Sequence, residues 1–104
     1  MILSTIETIP NREINELKGI ARGSTVRTRN IGRDILAGFK NLVGGEIEEY
    51  TKLQADAREQ ALQRMIDDAA KYNADAIVNI RFTTSVITQA ASEVLAYGTA
   101  VTLK

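Results

Sequence analysis

The chain has no cysteine and no histidine, and these two absences remove whole classes of chemistry. A Ser-His-Asp or Cys-His nucleophile arrangement cannot be built, because the base and the thiol are both missing. A Cys/His zinc site is excluded for the same reason, and the soft ligands that remain are the thioethers of Met1 and Met65. A metal bound by this chain alone would be a hard cation held by oxygens. No cysteine also means no disulfide framework, which suits a reducing compartment. Tryptophan is absent, and with two Phe and three Tyr the core must be aliphatic and small. Neither sign of charge is in excess: 13 basic residues balance 13 acidic ones, so no global field favours nucleic acid or a membrane surface. No apolar run approaches the roughly 20 residues a membrane helix needs. The N-terminal MILSTIETIP lacks the basic lead and long apolar core of a signal peptide. A soluble, cytoplasmic protein is expected. Repeats and low-complexity tracts are absent too, and 104 residues fit a single domain spanning 1–104. A chain this short buries only about two-thirds of its unfolded surface.

What is present centres on Asn30–Asn73, which reads as a short helix, a Gly44-Gly45 break and a long helix. In the first, Ile31, Ile35, Phe39 and Leu42 form one apolar face, Asn30 is a suitable N-cap and Asp34 lies near the positive end of the dipole. In the second, Tyr50, Leu53, Ala57, Ala61, Met65, Ala69 and Tyr72 form a longer stripe. Its centre is alanine, so whatever packs there approaches closely. The other face offers the i,i+4 pairs Glu48–Lys52, Lys52–Asp56, Arg64–Asp68 and Asp67–Lys71. Asn73 suits a left-handed exit from the helix.

Strands are expected on both sides of this stretch. Ile2–Thr8 reads as a short strand ended by Pro10, and 13–29 as a long strand bent or bulged at its glycines. Ala76–Thr88 and Glu93–Lys104 read as a hairpin turning at Gln89–Ser92. Alternation puts Ala76, Val78, Ile80 and Phe82 on one face of the first hairpin strand, opposite Ile77, Asn79, Arg81 and Thr83. In the second, Leu95, Tyr97, Val101 and Leu103 oppose Val94, Ala96, Gly98 and Ala100. An outer face should be polar, yet this strand is small and apolar where polarity is expected. The expectation is that this small face meets a second subunit, with Gly98 at the closest approach.

Candidate sites are few. Glu46, Glu48 and Glu49 lie near the start of the long helix, and Asp67, Asp68 and Asp75 surround its end. Either cluster could hold a hard cation, but solvated acidic faces are the commoner outcome. Gly44-Gly45 lacks the flanking pattern of a phosphate loop and follows a helix rather than a strand. Arg27, Arg29 and Arg33 could hold an anion beside a helix N-terminus, though without interleaved aromatics they do not make a nucleic-acid surface. No residue is assigned a catalytic or cofactor-binding role.

Arg33-Asp34, Val43-Gly44-Gly45, Tyr50, Leu53, Ala57-Arg58, Ala61, Ala74-Asp75-Ala76-Ile77-Val78 and Gly98-Thr99-Ala100-Val101 together resemble the YbjQ-like family, over nearly the whole chain from Ile2 to Leu103. Asn73 replaces the family's usual glycine, and Arg27 and Arg29 fall where small and apolar residues are usual. The resemblance implies an α+β chain with a dodecin-like subunit, order β-β-α-α-β-β, two helices packed on an antiparallel sheet, and a pentameric ring. The family is described as heavy-metal-binding, a description that the ligands of this chain do not support. The expected function is a non-enzymatic, ring-forming homo-oligomer of unknown ligand that partners itself. An oxygen-ligated metal-binding protein is the alternative, followed by an enzyme with inter-subunit active sites. No cofactor is expected unless such a metal is one.

Overall fold

The computed structural model describes residues 1–28, 48–88 and 91–104. The elements run β1 (Ile2–Leu3), β2 (Ile14–Thr28), α1 (Glu48–Ala70), β3 (Ala76–Thr88) and β4 (Ala91–Leu103). They form a four-stranded sheet in the order β1-β3-β4-β2. The expected short helix from Asn30 and the Gly44-Gly45 break lie outside the described residues. The sheet is mixed, not antiparallel as expected: β1 runs parallel to β3, whereas β3–β4 and β4–β2 are antiparallel.

The long helix and both long flanking strands form where the sequence indicated. Ala57, Ala61, Met65 and Ala69, four residues apart, are all buried on one face of α1. That face meets Ala21, Val94, Ala96, Ala100, Ile77 and Ile80 of the sheet. The alanines allow a short interlayer distance, and the backbone they bring closest is that of Gly23 in β2. A methyl group built on Gly23 would fall against backbone atoms of Ala61, Met65 and Arg64, the last only 2.6 Å away. Tyr72 ends the stripe with its ring across Gly19, whose φ of +151° accompanies the expected bulge between Leu17 and Gly19. Asn73 takes the left-handed conformation expected of it, with φ 56°.

The small face of β4 points inward, contrary to the expectation that it meets a second subunit. Val94, Ala96 and Ala100 pack beneath α1 of the same chain. A methyl group on Gly98 would meet Ile77 Cγ2 at 2.7 Å and the Val78 carbonyl oxygen at 2.9 Å, both in the neighbouring strand. Small residues on β4 are therefore explained within one chain, and self-assembly cannot rest on that face.

Simple alternation also fails in β3. Asn79 has φ 55°, and the β3–β4 register slips between Val78 and Arg81. One extra residue in a strand turns the side chains beyond it to the other face. Ile77 and Ile80 thus share the helix-facing core, while Ala76 and Val78 join Ile9, Val101 and Leu103 in a second cluster.

The N-terminal segment is a strap, with only Ile2–Leu3 in strand conformation. Ser4 explains why the strand stops. Its hydroxyl accepts from the Ile6 amide at 3.1 Å and donates to the Thr8 carbonyl at 3.2 Å, a local turn that competes with ladder pairing. The strap still lies along β3: Ser4 N donates to Ile77 O, Ile80 N to Ser4 O and Asn79 N to Ile6 O.

Candidate functional site

The acidic residues at the end of α1 are brought near the sheet, but each is engaged separately. Asp68 Oδ2 accepts from the Arg22 amide at 3.0 Å, Asp67 Oδ1 from Gln63 Nε2 at 3.0 Å, and Asp75 Oδ2 from the Leu103 amide at 2.8 Å. Arg64 does not pair with Asp68 as its spacing suggested. Its Nη1 donates instead to the Ser24 carbonyl at 2.6 Å. Both side chains reach the outer edge of β2, where unpaired backbone groups offer better-fixed partners than a neighbouring helical side chain. Among the described residues the ion pairs are Lys18–Glu16 and Lys104–Glu13, both near the start or end of a strand.

Among the described residues no group of three or more acidic side chains is arranged to hold a metal. The soft donors do not fit a heavy metal either: Met65 is fully buried in the apolar core and Met1 lies apart at the exposed terminus. Glu46 lies outside the described residues, as do Arg29, Arg33, Gly44 and Gly45. For Glu48 and Glu49 only the helical backbone is described. Arg27 is the one described member of the basic trio, and among the described residues its Nε finds no hydrogen-bond partner.

The feature that sequence reasoning missed is the far half of the hairpin. The helix lies over β2 and β4, with little of it over β3. Every residue of β3 from Arg81 onward is exposed, including Phe82, Val86 at 77% and Ile87. Arg81 marks the border, its Nη1 bonded to the Thr5 carbonyl at 2.7 Å and to that of Ile80. Beyond it, Phe82-Thr-Thr-Ser-Val-Ile87 carries no charge and is largely β-branched or aromatic. The one advance signal was this composition in the second half of a strand whose first half supplies core residues.

The whole chain, residues 1–104, matches the model of the YbjQ-like family described as "Putative heavy-metal-binding". The chain belongs to this family. A UPF0145 protein of Archaeoglobus fulgidus is 58% identical over 104 residues, covering all of this chain and 96% of that relative. Another, from Vibrio campbellii, is 57% identical and covers 99% of each chain. Among solved structures, a protein of unknown function from Pediococcus pentosaceus, assigned to the DUF74 family, superposes with a TM-score of 0.67. It covers 100% of this chain and 98% of its own at 17% identity, a likeness of fold alone. No helix among the described residues is long and apolar enough to cross a membrane.

Proposed function

We propose that this YbjQ-like protein is a non-enzymatic module whose activity is assembly with copies of itself. The observation carrying this reading is the stretch 82–87 of β3, which is exposed and has no layer packed over it among the described residues. A strand with exposed apolar side chains and one unpaired edge is a liability for a free monomer. The dimensions agree: the radius of gyration is 17.1 Å and the longest extent 55 Å, against about 13 Å expected for the radius of a compact domain of 100 residues. Balanced charge leaves no net repulsion between copies. A closed ring, five-membered by the resemblance, is the assembly that this reading favours.

Size-exclusion chromatography with light scattering on the tag-free protein tests it. A mass several times 11.4 kDa is expected at micromolar concentration, and a single 11.4 kDa species would overturn the proposal.

A second reading, an oxygen-ligated metal-binding protein, is favoured by the description of the family. Calorimetric titration with divalent cations separates the two readings. Stoichiometric binding with no change in mass would favour the metal, and a multiple mass without binding heat would favour assembly.

A further inference from the structure

We propose that Thr25 and Arg27, on the helix-facing side of β2, form a binding site for a phosphate group. Thr25 is only 2% exposed, yet its Oγ1 has no hydrogen-bond partner among the described residues. The Nε of Arg27 is buried and unpartnered in the same way. Buried polar atoms in folded proteins are almost always bonded, and an exception points to an ion or water that completes it. These two atoms belong together because of the strand period. Ala21 packs in the core beneath α1 and Gly23 abuts the helix backbone. Residues two apart share a face, so Thr25 and Arg27 continue the same row, with Cα atoms about 6–7 Å apart at the usual strand rise.

Polarity changes along this face. Where α1 packs closest it carries Ala21, Gly23, Ala96 and Ala100, all buried. Past Val94, which stands opposite Thr25, it turns polar: Ser92 stands opposite Arg27 and adds a hydroxyl on the same side. The remaining orphan, Thr102 Oγ1, lies near the other end of β4, opposite Glu16, and is not part of this group.

Charge and shape decide what fills the site. Water would satisfy the Thr25 hydroxyl, but a guanidinium with a buried nitrogen favours a negatively charged partner. The ion pairs among the described residues are Lys18–Glu16 and Lys104–Glu13, so no described carboxylate neutralises Arg27. A guanidinium offers Nε–H and one Nη–H as a fork to two oxygens. That fork occupies both oxygens of a carboxylate, whereas a phosphate keeps others for the hydroxyls of Thr25 and Ser92. The donors all lie within one chain, and the site does not depend on self-assembly.

Calorimetric titration of the tag-free protein with inorganic phosphate, at constant ionic strength, tests this. One phosphate per chain is expected, with Kd on the order of 1 mM or tighter. Acetate should bind about tenfold more weakly, since it leaves the hydroxyls without a charged acceptor. Thr25→Val removes a hydroxyl that has no protein partner, so the chain should fold, as circular dichroism would show, and bind phosphate about tenfold more weakly. Arg27→Gln should lose binding. No saturable heat at about tenfold the expected Kd, or undiminished binding by either variant, would overturn the site and leave the orphan atoms to water. Acetate binding as tightly as phosphate would overturn the choice of phosphate. Phenyl phosphate distinguishes the source: tighter binding than inorganic phosphate assigns the site to a phosphate ester, and equal binding to the free anion.

Discussion

The two halves of β3 belong to one strand, pair with the same neighbour and lead opposite lives. From Ala76 to Val78 every residue is buried, and Ile80 joins them past the bulge; from Arg81 to Thr88 every residue is exposed. Hydropathy alone does not draw that line, because Phe82, Val86 and Ile87 are as apolar as Ile77 and Val78. The difference is what lies above and below. The first half has the end of α1 over one face, with the second core cluster on the other and the N-terminal strap along its edge. The second half has β4 and, among the described residues, little else. Burial in a sheet is thus decided by the neighbouring layers, and an apolar strand can be locally well formed before it has anything to pack against.

The comparison breaks most sharply at Gly23. Gly23→Ala places a methyl group against the backbone of α1, which cannot rotate aside as a side chain can. The helix must lift, weakening the alanine contacts that hold it. A loss of about 3 kcal/mol is expected, at the upper end of overpacking, read as a lower midpoint in urea unfolding. If the packed half tolerates this change with an unaltered midpoint, its helix is not held as closely as described.

Asp75 sharpens the same half. It sits between the helix and β3, and its carboxylate accepts from the Leu103 amide beside the second core cluster. Asp75→Ala leaves that amide without its partner, at a cost of about 1–2 kcal/mol, again checked by the urea midpoint. A variant of unchanged stability would show that water replaces the carboxylate freely.

Asn79 tests how the two faces are partitioned. Its left-handed φ costs most side chains about 1–2 kcal/mol and glycine almost nothing. Asn79→Ala should destabilise by about 1 kcal/mol, while Asn79→Gly should be close to neutral. Equal stability of the two variants would mean the bulge is not required for Ile77 and Ile80 to share the core.

Much of this architecture was legible in advance, for identifiable reasons. The four-residue spacing of Ala57, Ala61, Met65 and Ala69 specified the buried face of α1, and its small side chains specified close packing. Glycines in 13–29 marked an irregular strand, and Asn73 marked the helix exit. What was not legible depended on relations between distant segments. The small face of β4 was read as outer because nothing in its sequence says on which side α1 will lie. Gly23, not Gly98, takes the helix backbone, and a single glycine among several in a strand carries no such label. Arg64 and Asp68 satisfied a helical pairing rule, yet both turned to a sheet edge that exists only after folding. The exposed second half of β3 is the furthest case, since no residue within it says which layers will lie beside it.

The smallest effect belongs to that half of β3, and it is informative because it is small. Val86 is 77% exposed, so an isolated chain has little to lose when it is changed. Val86→Thr keeps the branched shape and the strand propensity while replacing a methyl group with a hydroxyl. On an open surface the change should stay within about 0.5 kcal/mol. In an assembly that covers this half of β3 the same side chain becomes buried, and burying an unpartnered hydroxyl costs about 1–3 kcal/mol. Binding to another copy also makes apparent stability rise with protein concentration. The discriminating measurement is therefore the thermal midpoint of wild type and Val86→Thr across a hundredfold dilution series. A difference that is large when concentrated and vanishes on dilution is expected. A difference that stays small at every concentration would mean that the far half of β3 remains bare in solution, and that the contrast between the two halves is a property of the working molecule.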